Sequence, residues 1–239
     1  VNNKYTSGDE MKKKSLFLVK AIAIDYYGTL VDVGHPFLKI RKWFTSTYND
    51  STDDINGIYI SFMKEHARLL FDKEFYLGQV LLMNSYKKTC DKYNIKFMPA
   101  EFNRLIINLF TESPAFLCAQ RTIENLRKHY PVLLLTNADN QILYKSIEKQ
   151  GFKFDYIVSS EDMRCNKPDI KLFQRACELL HTPAEHVVMI GDSLTDDVQG
   201  AMSYGMQSIW INTNDSMDKE SVLQLSSVCD IESILCKTR

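Results

Sequence analysis

Three short apolar runs, residues 21–24, 132–135 and 187–190, each stop at polar groups: Asp25 after the first, Thr136 and Asn137 after the second, Gly191, Asp192 and Ser193 after the third. Apolar runs of about four to eight residues bounded by turn residues read as strands buried on both faces of a parallel sheet. After Pro114 strand-like and helix-like stretches alternate. Strands are expected at 132–135, 156–159, 187–190 and 208–211, with helices at 141–150, 170–180 and 196–204. This order predicts an α/β chain with a doubly wound, Rossmann-like parallel sheet.

The first strand is cut off from its continuation by a stretch of different character. From Pro36 onward apolar residues recur at helical spacing, as in Ile55, Ile58, Tyr59, Phe62 and Met63, or Phe102, Leu105, Ile106, Leu109 and Phe110. Three to five amphipathic helices are expected, with fifteen aromatic residues between Phe37 and Phe116 to knit their core. The division is therefore residues 1–17 as a polar tail, 18–34 and 115–239 as the α/β core, and 35–114 as an inserted helical module.

Composition narrows the partners. Lys and Arg number 29 against 30 Asp and Glu, a net charge of -1, which provides no field for nucleic acid or acidic membranes. No apolar run approaches the roughly 18 residues needed to span a bilayer, and Lys20 and Asp25 break the short apolar stretch after Lys12–Lys14 that would otherwise mimic a signal peptide. The six cysteines, at 90, 118, 165, 177, 229 and 236, show neither C-x-x-C pairs nor zinc-ligand spacing, and read as reduced thiols of a cytoplasmic protein. A small-molecule substrate is expected, with neither nucleic acid nor membrane as partner; the sequence sets no oligomeric state.

In an open parallel sheet ligands bind at the carboxyl ends of the strands near the topological switch point, so the three polar strand ends are expected to converge. Asp25 and Asp192 are suited to a hard cation such as Mg2+, which takes carboxylates, waters and substrate phosphate. Lys167, just before a helix in Asn166-Lys167-Pro168-Asp169, adds a positive charge facing an anionic group. A strand-end carboxylate is also able to attack phosphorus or carbon and split hydrolysis into two steps. Taken singly, each of these residues is better explained as a turn or helix cap; their joint order is what points to chemistry.

Four motifs in that order resemble the haloacid dehalogenase-like hydrolase superfamily: Asp25-Tyr26-Tyr27-Gly28-Thr29-Leu30-Val31-Asp32, Thr136-Asn137, Lys167-Pro168-Asp169, and Gly191-Asp192-Ser193 with Asp197, Gly200, Ala201 and Gly205. The helical insertion after the first motif resembles the family's cap, a lid that sets specificity. The resemblance implies that Asp25 is the nucleophile and that Asp25, the Tyr27 backbone carbonyl and Asp192 hold Mg2+. It implies that Thr136 and Asn137 bind oxygens of the transferring group and that Lys167 steadies the developing charge. Asp197 would support the metal shell, with Asp196 as its rival in register.

One position departs from the family's phosphatases. They carry a second Asp two residues after the first, as general acid and base; here it is Tyr27. A phenol with an ordinary pKa near 10 is a poor base at neutral pH. Asp-x-Tyr-Gly-Thr resembles the true haloacid dehalogenases, which need no metal, yet Gly191-Asp192-Ser193 keeps the metal-binding Asp that they lack. Their halide-binding Arg, early in the cap, has no clear counterpart: Arg41 and Arg68 flank a stretch without Arg. The expectation is a Mg2+-dependent phosphatase of small phosphorylated metabolites, with a 2-haloacid dehalogenase or a catalytically impaired phosphate- or partner-binding protein as alternatives. His35, before Pro36, fits a hinge turn as well as a catalytic acid; the other histidines have no partner in the sequence.

Overall fold

Ala21, Ile22, Ala23 and Ile24 form β1 (Ala21–Ile24), buried at every position. A strand without polar side chains is stable only at the centre of a sheet covered on both sides. β1 occupies that place. The computed structural model describes residues 18–49, 54–70, 72, 74–212 and 222–236, so the expected tail lies outside the described residues. Its six strands run in the order β3-β2-β1-β4-β5-β6, all parallel. They are β2 (Val132–Thr136), β3 (Tyr156–Ser159), β4 (Val187–Gly191), β5 (Gln207–Ile211) and β6 (Leu223–Leu225) besides β1. The three-residue β6 is too short for the sequence pattern to show.

This is an α/β, Rossmann-like fold with helices on both sides of the sheet. Period-two alternation sorts the strand side chains. Ala21, Ala23, Leu133, Leu135, Val187 and Met189 face one side, against Leu172, Phe173 and Ala176 of a helix at Ile170–Leu180. Ile22, Ile24, Leu134, Val188 and Ile190 fall on the other side, all fully buried. Ile24 is level with Leu134 on one flank and with Ile190 on the other. The residues that follow the three strands therefore emerge together, where the chain turns from building one half of the sheet to the other.

The helices in chain order are α1 (Pro36–Tyr48), α2 (Ile55–Leu70), α3 (Gly78–Tyr93), α4 (Pro99–Thr111), α5 (Ala119–Leu126), α6 (Asn140–Gln150), α7 (Ser160–Met163), α8 (Ile170–Leu180), α9 (Gly200–Tyr204) and α10 (Ile231–Leu235). The described residues divide into two compact units, one within 18–32, 114–137 and 150–236, the other within 33–113 and 138–149. Ile40, Phe44 and Tyr48 of α1, Ile58 and Phe62 of α2, Leu82 and Tyr86 of α3, and Phe102 and Ile106 of α4 build the second unit's core. Their four-residue spacing stacks them along one face of each helix. α6, a sheet-associated helix by its place in the sequence, adds Ile142 to this core. Just ahead of it, Asp139 accepts the Gly78 and Gln79 backbone N–H groups at 2.7 and 2.8 Å, capping α3, whose own N-cap Leu77 offers no acceptor.

The cysteines correct the sequence reading. Cys118 and Cys229 form a disulfide, with their Cα atoms 5.5 Å apart, and Cys90, Cys165, Cys177 and Cys236 are free thiols. The partners are 111 residues apart and meet because the segment around α10 packs on α5. Glu232 reinforces that contact by accepting from Thr122 Oγ1 at 3.0 Å and Asn125 Nδ2 at 2.8 Å. Among the described residues no helix is long and apolar enough to cross a membrane.

Candidate active site

Asp25 follows β1, and its backbone N–H donates to Ile190 O of β4 at 2.9 Å, which extends the ladder by one step and fixes the carboxylate at the strand end. The chain then turns back, with Gly28 at φ +93 and both Leu30 and Val31 N–H bonded to Tyr26 O. A Cβ at Gly28 would collide with the Asp192 carboxylate, so only glycine lets this turn lie against β4's end. Thr29 Oγ1 donates to Asp192 Oδ1 at 3.0 Å, and Trp210 Nε1 donates to the Asp192 carbonyl at 2.8 Å.

Lys167 is the hub. Its ammonium donates to Asp25 Oδ1 at 2.7 Å, to Asp197 Oδ1 at 2.6 Å and to the Leu135 carbonyl at 2.8 Å, with the residue 4% exposed. Three donors meet three acceptors, which is what a buried ammonium needs. Asp197 is fully buried, and Ser193 N–H donates to its other oxygen at 3.0 Å. It lies on a π-helical segment, Leu194–Gln199, that replaces the first turns of the helix expected from 196. The structure thus places Asp197 against Lys167, while Asp196 is partly exposed at the cleft wall, its N–H bonded to Ser193 Oγ.

Asp25, Asp192 and Asp197 offer carboxylate oxygens all within 4.8 Å of one another. One ammonium among three carboxylates leaves a surplus of negative charge. Burial pushes Asp197 up to about 7 against the pull of Lys167. Lys167 is raised in turn: burial opposes its charge, but Asp197 and Asp25 outweigh it. These two shifts compete, since a protonated Asp197 would hold the lysine less; the three acceptors around Nζ make the charged lysine the firmer of the two. Burial and then the Asp25 charge push Asp192 up to about 6. Because Asp192 still reaches solvent at the mouth, the Asp25 charge is the sounder cause. The donor set is all oxygen and anionic, which fits a hard divalent cation.

Every residue expected in the site, Tyr27 included, lines one cleft of about 140 Å³. That is several times the ~30 Å³ share of one water, room for a phosphate-sized group. Thr136 ends β2 and is buried. Asn137, the next residue, turns its amide toward the Lys167 backbone, accepting the N–H at 2.7 Å and donating to the carbonyl at 3.2 Å. Tyr27 packs edge-on against Tyr26, ring centroids 4.8 Å apart. In the second unit His35 is the N-cap residue of α1, Arg41 donates to Asn56 at 2.8 Å and lies over the Tyr59 ring, and Arg68 pairs with Glu65 at 3.1 Å. Sequence reasoning assigned no role to Thr29, Leu135 or Trp210. Thr29 was legible as part of the first motif; a backbone carbonyl and an indole reaching from β5 leave no sequence signal.

The fold and this cluster define an α/β protein with an aspartate-rich site at its strand ends. The haloacid dehalogenase-like hydrolase model matches residues 19–205, and the chain belongs to that family. It is 26% identical over 159 residues to the pyrimidine 5'-nucleotidase YjjG of Escherichia coli, covering 64% of this chain and 70% of that protein. The human N-acylneuraminate-9-phosphatase is 33% identical over 120 residues, 47% of this chain and 48% of that protein, so about half of its length is matched. Haloacetate dehalogenase H-2 of Moraxella sp. is 24% identical over 204 residues, 81% of this chain and 86% of that protein. Among solved structures, the magnesium-bound HAD-hydrolase YfnB of Bacillus subtilis superposes with a TM-score of 0.72 at 20% identity, over 91% of this chain and 99% of that one, a likeness of fold.

Proposed function

We propose that this hydrolase is a Mg2+-dependent phosphatase acting on a small phosphorylated metabolite. The observation that carries the reading is the carboxylate surplus: Asp25, Asp192 and Asp197 cluster together, one ammonium binds two of them, and Asp192 is kept at the mouth by Thr29 and Trp210. Such a site favours a divalent cation and, with it, a phosphate ester over a neutral carbon electrophile. YjjG and the N-acylneuraminate phosphatase, whose names state phosphate-ester cleavage, support it.

In this reading Asp25, the Tyr27 carbonyl and Asp192 hold Mg2+, with Asp197 and Asp196 supporting it; the ion supplies charge neutralisation for the phosphoryl oxygens. Lys167 holds Asp25 Oδ1 and fixes the direction of the carboxylate. The Asp25 oxygen not bonded to Lys167 attacks phosphorus, and the ester oxygen departs with the bonding pair. Water then attacks the acyl-phosphate, releasing inorganic phosphate and restoring the Asp25 carboxylate. Thr136 and Asn137 flank the phosphoryl position. Tyr27, in place of a carboxylate, leaves the ester oxygen with a weak proton donor, so good leaving groups are favoured.

The dehalogenase reading keeps one specific support, Tyr27, together with the Moraxella relative. Against it, Arg41 and Arg68 are already engaged by Asn56, Tyr59 and Glu65. A panel of phosphomonoesters and 2-haloacids, each assayed with Mg2+ and with chelator, separates the two. Metal-dependent phosphate release supports the proposal, and halide release in chelator overturns it. Activity on neither class would favour the binding-protein alternative. A cytoplasmic location belongs to the same proposal and is checked by cell fractionation.

A further inference from the structure

We propose that Asn137 is a positioning residue that acts through Lys167, holding the lysine's backbone so that its ammonium reaches Asp25 and Asp197, instead of binding the substrate's oxygens. The inference rests on the reading of Asp25 as nucleophile and Lys167 as its charge partner.

Lys167 lies in a turn, outside any helix or strand, and is 4% exposed. Its backbone N–H and carbonyl therefore have no ladder to join and still need partners. Asn137 satisfies both with one side chain, Oδ1 accepting the N–H at 2.7 Å and Nδ2 donating to the carbonyl at 3.2 Å. An amide is the neutral side chain group able to accept and donate side by side in this way. The other end of the lysine is held by the same strand end: Nζ donates to the Leu135 carbonyl at 2.8 Å, two residues before Asn137. The carboxyl end of β2 thus grips both the root and the tip of Lys167, with the aliphatic stem stretched between the two grips. Only then do the 2.7 and 2.6 Å bonds to Asp25 and Asp197 follow. With its amide turned toward this backbone, Asn137 has one N–H and one lone pair left for anything in the cleft.

A substrate-binding Asn137 and a positioning Asn137 differ in measurable ways. The assay uses whichever substrate the wild-type chain cleaves, an aryl phosphate or 2-chloropropionate, so a wrong reaction class shows in the wild type and a wrong role for Asn137 shows in the variants. Asn137→Ala and Asn137→Ser are each expected to lower kcat by roughly 10- to 100-fold, the effect of a slightly misplaced catalytic group. KM and inhibition by inorganic phosphate should stay within about twofold of wild type. In a Lys167→Arg background, Asn137→Ala should add less than about twofold, because its effect has already been spent. A tenfold or larger rise in KM or in the phosphate inhibition constant, or losses that multiply in the double variant, would overturn the proposal. A crystal structure of Asn137→Ala, or of Asn137→Ser should the alanine variant not fold, gives a readout independent of turnover. Displacement of the Lys167 ammonium from Asp25 is expected; both carboxylate bonds left in place would overturn it.

Discussion

Lys167 and Asp25 are joined by a 2.7 Å ion pair between residues 142 positions apart, both almost wholly buried. The same ammonium binds Asp197, so Asp25 shares its counter-charge with a second carboxylate. Asp25 is fixed in direction by this pair, while the three clustered carboxylates outnumber the one ammonium.

Replacing Asp25 by Asn should reduce hydrolysis by at least about 10,000-fold, since an amide does not form the acyl-phosphate or ester intermediate. Borohydride or hydroxylamine trapping of the wild type followed by mass spectrometry should place the adduct on the peptide containing Asp25. Retained activity in Asp25→Asn would require another nucleophile.

Mg2+ binding should depend on Asp192 and on pH in a defined sense. Asp192 binds the ion as carboxylate and its pKa is pushed up to about 6, so affinity should be full above pH 7 and fall as the proton is taken up. About a tenfold loss is expected one unit below that pKa, near pH 5. Titration calorimetry with a phosphate mimic present measures this, and Asp192→Asn should weaken binding strongly at both pH values. Binding unchanged in that variant would remove the metal from the site.

Tyr27 should impose a leaving-group preference. An aryl phosphate, whose leaving group needs little protonation, should be cleaved far faster than an alkyl phosphate, by up to about 100- to 10,000-fold. Tyr27→Asp should narrow the gap by supplying a carboxylic acid. Equal rates on both esters with the native chain would show that another residue donates the proton.

The Cys118–Cys229 disulfide closes a loop across 111 residues. Its reduction should cost about 2–4 kcal/mol by freeing the unfolded chain. Urea denaturation with and without dithiothreitol measures the difference, which should vanish in Cys229→Ser. Equal midpoints for the native chain in both conditions would show that the bond does not form in solution.

Much of this site was legible from one dimension because parallel strands buried on both faces announce themselves as short apolar runs, and the residue after each run is where a ligand site forms. Asp25, Thr136 and Asp192 stood out for that reason, and Lys167 through the Asn166-Lys167-Pro168-Asp169 segment ahead of a helix. The four-residue spacing of Phe44 and Tyr48, or Phe102 and Ile106, likewise marked the helical unit. Other features left no local trace. Whether Asp196 or Asp197 faces Lys167 depends on a π-helical segment that shifts the helix phase, and the sequence pattern of 196–204 reads as ordinary helix.

The order of apolar runs and polar ends determined the α/β sheet, the run of helices between its first two strands and the set of polar residues that line the cleft, because hydrophobic periodicity and strand ends are properties of neighbours in the chain. Tertiary structure alone decided the rest. It joined Cys118 to Cys229, placed α6 with the helical unit through Ile142 and capped α3 with Asp139. It also turned Asn137 onto the Lys167 backbone. These contacts are made by groups brought together only after the sheet and helices have packed, and a hydrogen bond or disulfide between distant positions has no period for a sequence to display.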